Sequence, residues 1–399
     1  MTAVCLVTEG TYPLVTGGVS TWAAALVASL PDLRWSVAHL SELPVEGVAP
    51  QVAPQVERVV PLTVPRSSGP IPSPTQVAAL AARLPGADVY HATTVGVASA
   101  VARVAAARRG AAFVLTEHGI ASEELAVAGG PLETGRSAPA SDEGRLAWIA
   151  DLRAEAARAY RCADVVTSVS EAGARQQRRL GAAAVRVIPH PPPEVAVGAR
   201  RVDHRSPLVG LVARVVPLKD VAGFVLACAD VAAAHPTSRF VVLGPLDADP
   251  AYAAECQQLA EAVGLRDRLQ FTGETDVRAW WPELSVLVST SRSEARPFVV
   301  LEAMQHGVPV VATAVGDCAD MLLGGELPAA GLVVAPGDVG AVVDAVCALL
   351  AAPGRAMALG DAGRARVAAT GGSALHAGLY RAIYERVATA ASRPPVTTS

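Results

Sequence analysis

The chain has 399 residues, of which 51% are hydrophobic and 18% charged. It is longer than a single hydrophobic core usually serves, so we expect two domains. The formal net charge of -4 excludes a global positive field, so we expect no nucleic-acid partner. The six cysteines form no C-x-x-C pair, and the first apolar run stops at Glu9 with no basic segment before it. These features favour buried free thiols, no signal peptide and a cytoplasmic location.

In the N-terminal half, short apolar runs alternate with Ala-rich stretches of helical length. Apolar runs without polar alternation are typical of strands covered on both faces, hence of a parallel sheet. We predict strands at 3–8, 36–40, 88–91, 112–116, 164–169 and 185–188, with helices at 18–30, 95–109 and 146–160. Segments 61–74 and 128–144, rich in Pro, Ser and Gly, are predicted to be surface loops, the second a candidate lid on the acceptor side.

A stiff connector, Ile-Pro-His-Pro-Pro-Pro at 188–193, precedes a second alternating series. We predict its strands at 208–212, 240–243, 269–272, 286–289, 308–313 and 332–334, with helices at 221–234, 251–263, 299–306 and 339–351. The fold class is therefore α/β, with doubly wound domains at 1–195 and 196–372. Residues 373–399 are predicted to be a C-terminal helix and tail, with packing back on the N-terminal domain as one option. Ligands of such sheets bind beyond the carboxyl ends of the strands, in a cleft between facing domains.

The most informative segment is 289–313, which opens with Ser-Thr-Ser-Arg-Ser-Glu-Ala-Arg-Pro-Phe-Val-Val-Leu-Glu at 289–302. We place Pro297 at the first helical position, where its missing N–H costs nothing. The amides of Phe298 and Val299 would then face a diphosphate. Glu294 and Glu302 suit hydrogen bonds to hydroxyls, one on a sugar ring and one on a ribose. An ordinary acidic loop with a solvated helical Glu is the alternative.

Two cations follow the strand predicted at 208–212. Arg214 stands just beyond its end, and Lys219 is placed at the opening of the next helix beside Asp220. Two such cations can neutralise a diphosphate as it leaves. Surface cations with an N-capping Asp220 are the alternative. Lys219 is the only lysine in the chain, which favours a specific role.

Two weaker signals lie in the N-terminal half. Gly17 and Gly18 allow close backbone approach to a phosphate or sugar, or they form an ordinary turn. His118, at the end of a strand, either lines a site or is a capped loop residue.

Asp247-Ala-Asp249 has the D-x-D form of a divalent-metal site. Because it leads through Pro250 into a predicted helix, we interpret it as a helix N-cap and predict no metal. The chain lacks the phosphate-loop, G-x-G-x-x-G and G-x-S-x-G motifs, which weakens kinase, dehydrogenase and hydrolase interpretations.

The chain resembles the retaining glycosyltransferases of family 4, which have the GT-B fold. The resemblance lies in EGTYPLVTGGVSTW, LTEHG, VARVVPLKD, VLGPLDADPAYAAEC, FTGETDV and SEARPFVVLEAMQHGVPVVAT. The opening EGTYP and the GPLDADP stretch resemble the branch that contains the Pel exopolysaccharide glycosyltransferase. The family's paired-glutamate segment corresponds to 293–313.

The resemblance implies a role for each matching residue. Arg214 and Lys219 would hold the donor diphosphate, Glu302 the ribose, and Glu294 and His118 the donor sugar. The other donor-binding positions it implies are Phe298, Val299, Gly17, Gly18, Gly244, Gly273, Glu274 and Thr275. The branch uses a UDP-sugar, with UDP-glucose the first expectation, and needs no metal or other cofactor.

Three positions depart from the family's pattern. His190 and a proline run replace the usual Asn-Gly, Ala213 replaces a Gly, and Arg296 replaces a smaller residue. Arg296 either contacts the donor or fills the edge of the cleft.

The resemblance implies front-face displacement, in which the acceptor hydroxyl attacks on the side that the diphosphate leaves. Two alternatives stay open: a nucleotide-sugar epimerase or hydrolase on the same fold, and a non-catalytic nucleotide-sugar-binding subunit of a polysaccharide synthase. Association with a membrane synthase complex is a further expectation. The hydroxyl acceptor and the oligomeric state are not predicted.

Overall fold

The computed structural model describes residues 1–15, 17–42, 52–128, 136, 139, 141–192 and 197–391. The described residues form two compact units, one within 1–126, 131–190 and 372–399, the other within 127–130 and 191–371. Much of the loop predicted at 128–144, and Pro193 of the connector, lie outside the described residues.

The first unit contains one parallel sheet in the order β3-β2-β1-β4-β5-β6-β7. Every residue of β1 is buried, as expected for a strand covered on both faces. Consecutive strands extend the sheet in one direction from β1 and then, from β4, in the other. The strands are β1 (Ala3–Glu9), β2 (Arg34–Ser41), β3 (Val56–Thr63), β4 (Val89–Ala92), β5 (Ala112–Glu117), β6 (Val165–Ser168) and β7 (Arg186–Val187).

Of the helices in the described residues, seven belong to this unit, α4 except for its last two residues, and one of the seven comes from the C-terminal end of the chain. They are α1 (Gly18–Ala28), α2 (Pro74–Ala82), α3 (Val97–Arg109), α4 (Ala121–Ala128), α5 (Asp142–Cys162), α6 (Glu171–Arg179) and α13 (Ser373–Ala391). Helix α13 packs on α1, β4 and β5. Its Tyr384 hydroxyl lies 2.7 Å from Nδ1 of His91 on β4. The last helix is therefore part of the first unit's core.

The second unit repeats the plan with a parallel sheet in the order β10-β9-β8-β11-β12-β13. Its strands are β8 (Leu208–Val212), β9 (Arg239–Leu243), β10 (Leu269–Phe271), β11 (Leu284–Ser289), β12 (Val310–Thr313) and β13 (Gly331–Val334). Its helices are α7 (Val221–Ala234), α8 (Pro250–Ala262), α9 (Phe298–Gln305), α10 (Cys318–Leu323), α11 (Val339–Leu350) and α12 (Pro353–Ala369). The strand order reverses between β8 and β11. The predicted doubly wound α/β class is confirmed for both units.

The prediction of a loop over 61–74 was wrong at its start, because β3 continues through Pro61 to Thr63. Pro61 is tolerated because β3 is the edge strand of its sheet and needs no partner on its outer side. Helix α2 begins at Pro74, and its Ser73 N-cap forms a capping box with Gln76. That sequence signal was available and missed.

The predicted burial of most cysteines is confirmed: Cys5, Cys228, Cys256 and Cys318 are buried, and only Cys162 is exposed. Among the described residues no single helix is long and apolar enough to cross a membrane, although the bent succession 339–350 and 353–391 passes by length and composition.

Candidate functional site

In the second unit the predicted residues gather beyond the carboxyl ends of β8 and β11, the adjacent strands where the strand order reverses. Loop 213–220 follows β8 and loop 290–297 follows β11. The Thr290 hydroxyl donates to the backbone oxygens of Lys219 and Asp220, at 3.0 Å each. The Arg292 amide donates to the Leu218 oxygen at 2.8 Å. The two loops are therefore held together where such sheets bind ligands.

Lys219 and Glu294 form an ion pair across this junction. Lys219 Nζ lies 2.6 Å from Glu294 Oε1, and the two side chains are 18% and 12% exposed. The Ser291 hydroxyl donates to the same carboxylate oxygen at 2.7 Å. The structure thus brings together two groups, 75 residues apart, to which the sequence assigned separate tasks.

The predicted helix opening at Lys219 was wrong. Lys219 closes a short 3-10 turn, Pro217–Lys219, and α7 begins at Val221 after Asp220. Asp220 stands at the N-cap position with a left-handed φ of 49° and makes no side-chain cap. Its carboxylate instead lies 3.1 Å from Arg292 Nη2. The alternative in which Asp220 is a simple N-cap is therefore not what the structure shows.

Arg214 is a half-buried cation in the loop after β8. Its side chain makes no hydrogen bond or ion pair with any residue that the structure describes. Its backbone oxygen accepts from the Val216 amide at 3.0 Å, which fixes the start of the loop. The guanidinium is thus available to an anionic ligand.

The N-terminus of α9 lies at the end of loop 290–297. Pro297 is the N-cap, with φ -70° and ψ 123°, and the helix begins at Phe298. The prediction of Pro297 at the first helical position was thus wrong by one residue. The Val300 amide donates to the Pro297 oxygen at 3.2 Å. Phe298 and Val299 supply the leading amides of α9, at the positive end of the helix dipole.

Glu302 lies on α9 and is half-buried. Burial raises the pKa of this carboxyl group from 4.5 to about 7. No side chain among the described residues pairs with it. A buried carboxyl group without a partner is unfavourable unless a ligand supplies hydroxyl groups to it.

The four predicted positions beside β9 and β10 surround a close backbone contact. The Gly244 amide donates to the Gly273 oxygen at 3.1 Å, and Glu274 and Thr275 follow directly. Gly244 has a φ of 146°, and a side chain there would collide with the Ala213 oxygen. Gly244 therefore lets the loops after β8 and β9 pack together, a structural role that its sequence position did not reveal.

Arg296, whose role the sequence left open, forms an ion pair with Asp317. The Asp317 amide also donates to the Ala295 oxygen at 2.8 Å. These contacts join the loop after β11 to the loop after β12. The structure favours the edge-filling role for Arg296. Sequence reasoning did not identify Asp317 as its partner, because no local pattern connects the two residues.

The remaining candidates belong to the first unit. Gly17 is the N-cap of α1, which begins at Gly18. Its backbone is extended, with φ 166°, and the space where a side chain would stand is open. The fold does not require glycine at Gly17, so the open space is compatible with ligand approach.

His118 follows β5 and is buried. Its Nδ1 lies 2.9 Å from His190 Nε2, and its ring centroid lies 4.4 Å from that of Trp22. Burial, and to a lesser extent the charge of His190, lower its pKa well below the usual 6.5, so the ring is neutral. The sequence identified His190 only as a departure from a family pattern and missed it as the partner of His118.

The interpretation of the D-x-D segment as an N-cap is confirmed. The Asp249 carboxylate accepts from the Tyr252 amide at 3.1 Å at the start of α8.

A cavity of about 380 Å³ lies at the amino edge of the second sheet, lined by residues such as Arg200, Ser285 and Arg364. None of the predicted site residues lines it. Because doubly wound sheets bind ligands at the carboxyl edge, we assign the site to the loops after β8 and β11.

Residues 206–352 match the family model described as glycosyl transferases group 1. Residues 2–64 and 72–185 match DUF3492, a domain of unknown function. The two matches fall in different halves of the chain, DUF3492 in the first and the glycosyl transferase model in the second. The site residues from Arg214 to Glu302 all lie in the segment that matches the glycosyl transferase model.

A curated relative of known sequence is also a glycosyltransferase. A lipopolysaccharide core biosynthesis mannosyltransferase of Rhizobium meliloti is 39% identical over 101 residues, which are 25% of this chain and 28% of that protein. The chain therefore aligns with less than a third of this curated relative.

Solved structures show the GT-B fold over nearly the whole chain. Sucrose-phosphate synthase from Thermosynechococcus elongatus gives a TM-score of 0.79 at 21% identity, covering 98% of this chain and 100% of that one. Anabaena HepE in complex with UDP-glucose gives a TM-score of 0.68 at 17% identity, covering 96% of this chain and 99% of that one.

Proposed function

We propose that this protein is a retaining glycosyltransferase that moves a hexose from a nucleotide-sugar, UDP-glucose first, to a hydroxyl acceptor without a metal. The observation that carries the proposal is the junction of the loops after β8 and β11. There Arg214, the Lys219–Glu294 pair and the N-terminus of α9 lie at the switch point of the second sheet.

The two cations stabilise the negative charge of the leaving diphosphate. Breaking the glycosidic bond leaves negative charge on the diphosphate, and preorganised cations and backbone amides stabilise such charge. Arg214 has no hydrogen-bond or ion-pair partner among the described residues to give up. Lys219 has three N–H donors, so it can keep its 2.6 Å contact with Glu294 while it binds a phosphate oxygen.

The two carboxyl groups bind hydroxyl groups of the nucleotide-sugar. Glu294 is held by Lys219 and Ser291 at one oxygen, Oε1, which leaves Oε2 to accept from a hydroxyl of the donor sugar. Glu302 sits one helical turn inside α9 and faces a ribose in this proposal. With a pKa of about 7, it can accept or donate a hydrogen bond near neutral pH.

UDP-glucose is the first donor to test because Anabaena HepE, which shares the fold, has been solved with that ligand. The mannosyltransferase relative makes a nucleotide-activated mannose the natural competitor. Asp249 is occupied as an N-cap, which supports a mechanism that does not use the D-x-D segment for a metal. A cytoplasmic location, the Pel-like branch and association with a membrane synthase stay predictions.

The first experiment measures thermal stabilisation by UDP, ADP and GDP, since a ligand that binds only the folded state raises its melting temperature. The second measures release of the nucleoside diphosphate from each nucleotide-sugar, with and without candidate acceptors. Acceptor-dependent release with retention at the anomeric carbon supports the proposal. Donor consumption without any acceptor indicates an epimerase or hydrolase, and binding without turnover indicates a regulatory subunit.

A further inference from the structure

Two histidines of the first unit form a direct hydrogen bond. Nδ1 of His118 lies 2.9 Å from Nε2 of His190. The ring planes differ by 17° and the centroids are 5.1 Å apart, so the rings meet edge to edge in nearly one plane. Their exposed fractions are 8% and 5%. Water therefore does not compete for this bond.

The bond has a consequence for the other nitrogen of His118. A neutral imidazole carries one N–H and one lone pair, so the role of Nδ1 in the hydrogen bond decides the role of Nε2. Nε2 of His118 is buried and finds no partner among the described residues. Buried polar atoms are normally hydrogen-bonded. Nε2 is thus the atom that a ligand hydroxyl would satisfy.

The other histidines nearby are directed elsewhere. Both ring nitrogens of His91 are engaged, by the hydroxyls of Tyr384 and Thr116, at 2.7 Å each. Nε2 of His376 accepts from the Trp22 indole at 3.1 Å. The contact with His190 is therefore what distinguishes the two nitrogens of His118.

We propose that His190 is a positioning residue, which holds His118 in one ring orientation and one tautomer so that Nε2 meets a hydroxyl of a bound sugar. This inference rests on the proposed function. His190 itself does not touch the sugar. It acts through His118, as partners of functional histidines commonly do.

Three substitutions separate the hydrogen bond from the shape of the ring. H190F keeps an aromatic ring and removes the partner. H190N is too short to reach Nδ1, and it serves if H190F does not fold. H190Q places an amide near the original Nε2 and restores a partner that can donate or accept. H204Q, at an exposed position of the second unit, is the matched control.

The structural readout is long-range 15N–1H correlation spectroscopy of 15N-histidine-labelled full-length protein, with His118 assigned from H118Q. We expect one tautomer of His118 in the unmodified protein, in H190Q and in H204Q. We expect mixed tautomers in H190F or H190N. With UDP-glucose and an active acceptor, H190F should lower kcat by about 10- to 100-fold with little change in KM, and H190Q should restore most of it.

An unchanged tautomer in H190F and H190N overturns the proposal, and so does a changed tautomer with an unchanged kcat. If no donor is turned over by the unmodified protein, the proposed function fails. The spectra then still report whether His190 sets the tautomer of His118, so the two failures are distinguishable.

Discussion

Replacing Lys219 by Met tests the chemistry of the junction between the loops after β8 and β11. The substitution removes the ammonium and keeps most of the side-chain volume. If Lys219 stabilises the departing diphosphate, its loss should lower kcat about 10²- to 10³-fold, or about 2.7–4 kcal/mol in activation free energy, as for other preorganised donors.

The same substitution should leave the fold intact. It breaks the 2.6 Å contact with Glu294, whose side chain is 12% exposed, but Ser291 still donates to that carboxylate. A partly exposed ion pair contributes about 1 kcal/mol, which corresponds to a fall of about 2–4 °C in melting temperature for a domain of this size. The loss of activity is therefore not explained by unfolding.

A double-mutant cycle with E294Q separates two roles of the pair. If Lys219 acts on the diphosphate and Glu294 on the sugar, the two losses in activation free energy should approximately add. If each residue merely positions the other, the double variant should lose no more than the worse single variant. The assay is UDP release at saturating donor and acceptor, with K219R as the variant that keeps the charge. A kcat for K219M within twofold of the unmodified protein would refute the assignment.

Four further outcomes follow from the described contacts. R214A should lower kcat about 10²-fold or more without changing the melting temperature, because the side chain has no hydrogen-bond or ion-pair partner in the described part of the chain; partial recovery in R214K is the control, and a large loss of stability would contradict the reasoning. Glu302 has its pKa raised by burial to about 7, so the folded state binds its proton more tightly and loses stability as the pH rises from about 4.5 through 7; E302Q should remove this dependence, and urea melts of both proteins at pH 5 and pH 8 should diverge by on the order of 1 kcal/mol. Parallel melts would count against a buried carboxyl group. D249A should lower the free energy of unfolding by about 1 kcal/mol through its lost cap and keep its activity, which EDTA should not affect. Activity that is lost both in EDTA and in D249A would instead show that the segment binds a metal. G244A should destabilise the second domain by about 1–3 kcal/mol, measured in urea, because of its positive φ and its contact with the Ala213 oxygen; an unaffected G244A would mean that the backbone there relaxes freely.

The sequence by itself determined the class of fold, because both faces of each sheet are covered. That burial removes polar alternation from the strands, so runs such as β1 and β11 are continuous apolar segments that can be recognised locally. Strand β3, which lacks a continuous apolar run, supports this explanation. β3 is an edge strand with several exposed residues and a proline, so it carries no such run; no strand is predicted there, and its last residues, 61–63, fall in the predicted loop.

The sequence also marked most of the candidate site, since Arg214, Lys219, Glu294 and Glu302 follow strand ends in a recognisable family segment. It did not determine what these groups touch. Lys219 meets Glu294 because β8 and β11 are neighbours in the sheet, although α7, β9, α8 and β10 separate them along the chain. Which strands become neighbours depends on pairing and packing over the whole sheet, and no local pattern records it.

The same reason explains the two histidines. His118 ends one segment of the first unit and His190 ends another, 72 residues later, and neither position predicts the other. Only the parallel arrangement of β5, β6 and β7 brings the segments that follow them to the same edge of the sheet. The sequence supplied the two imidazoles, and the tertiary structure placed Nδ1 of one against Nε2 of the other.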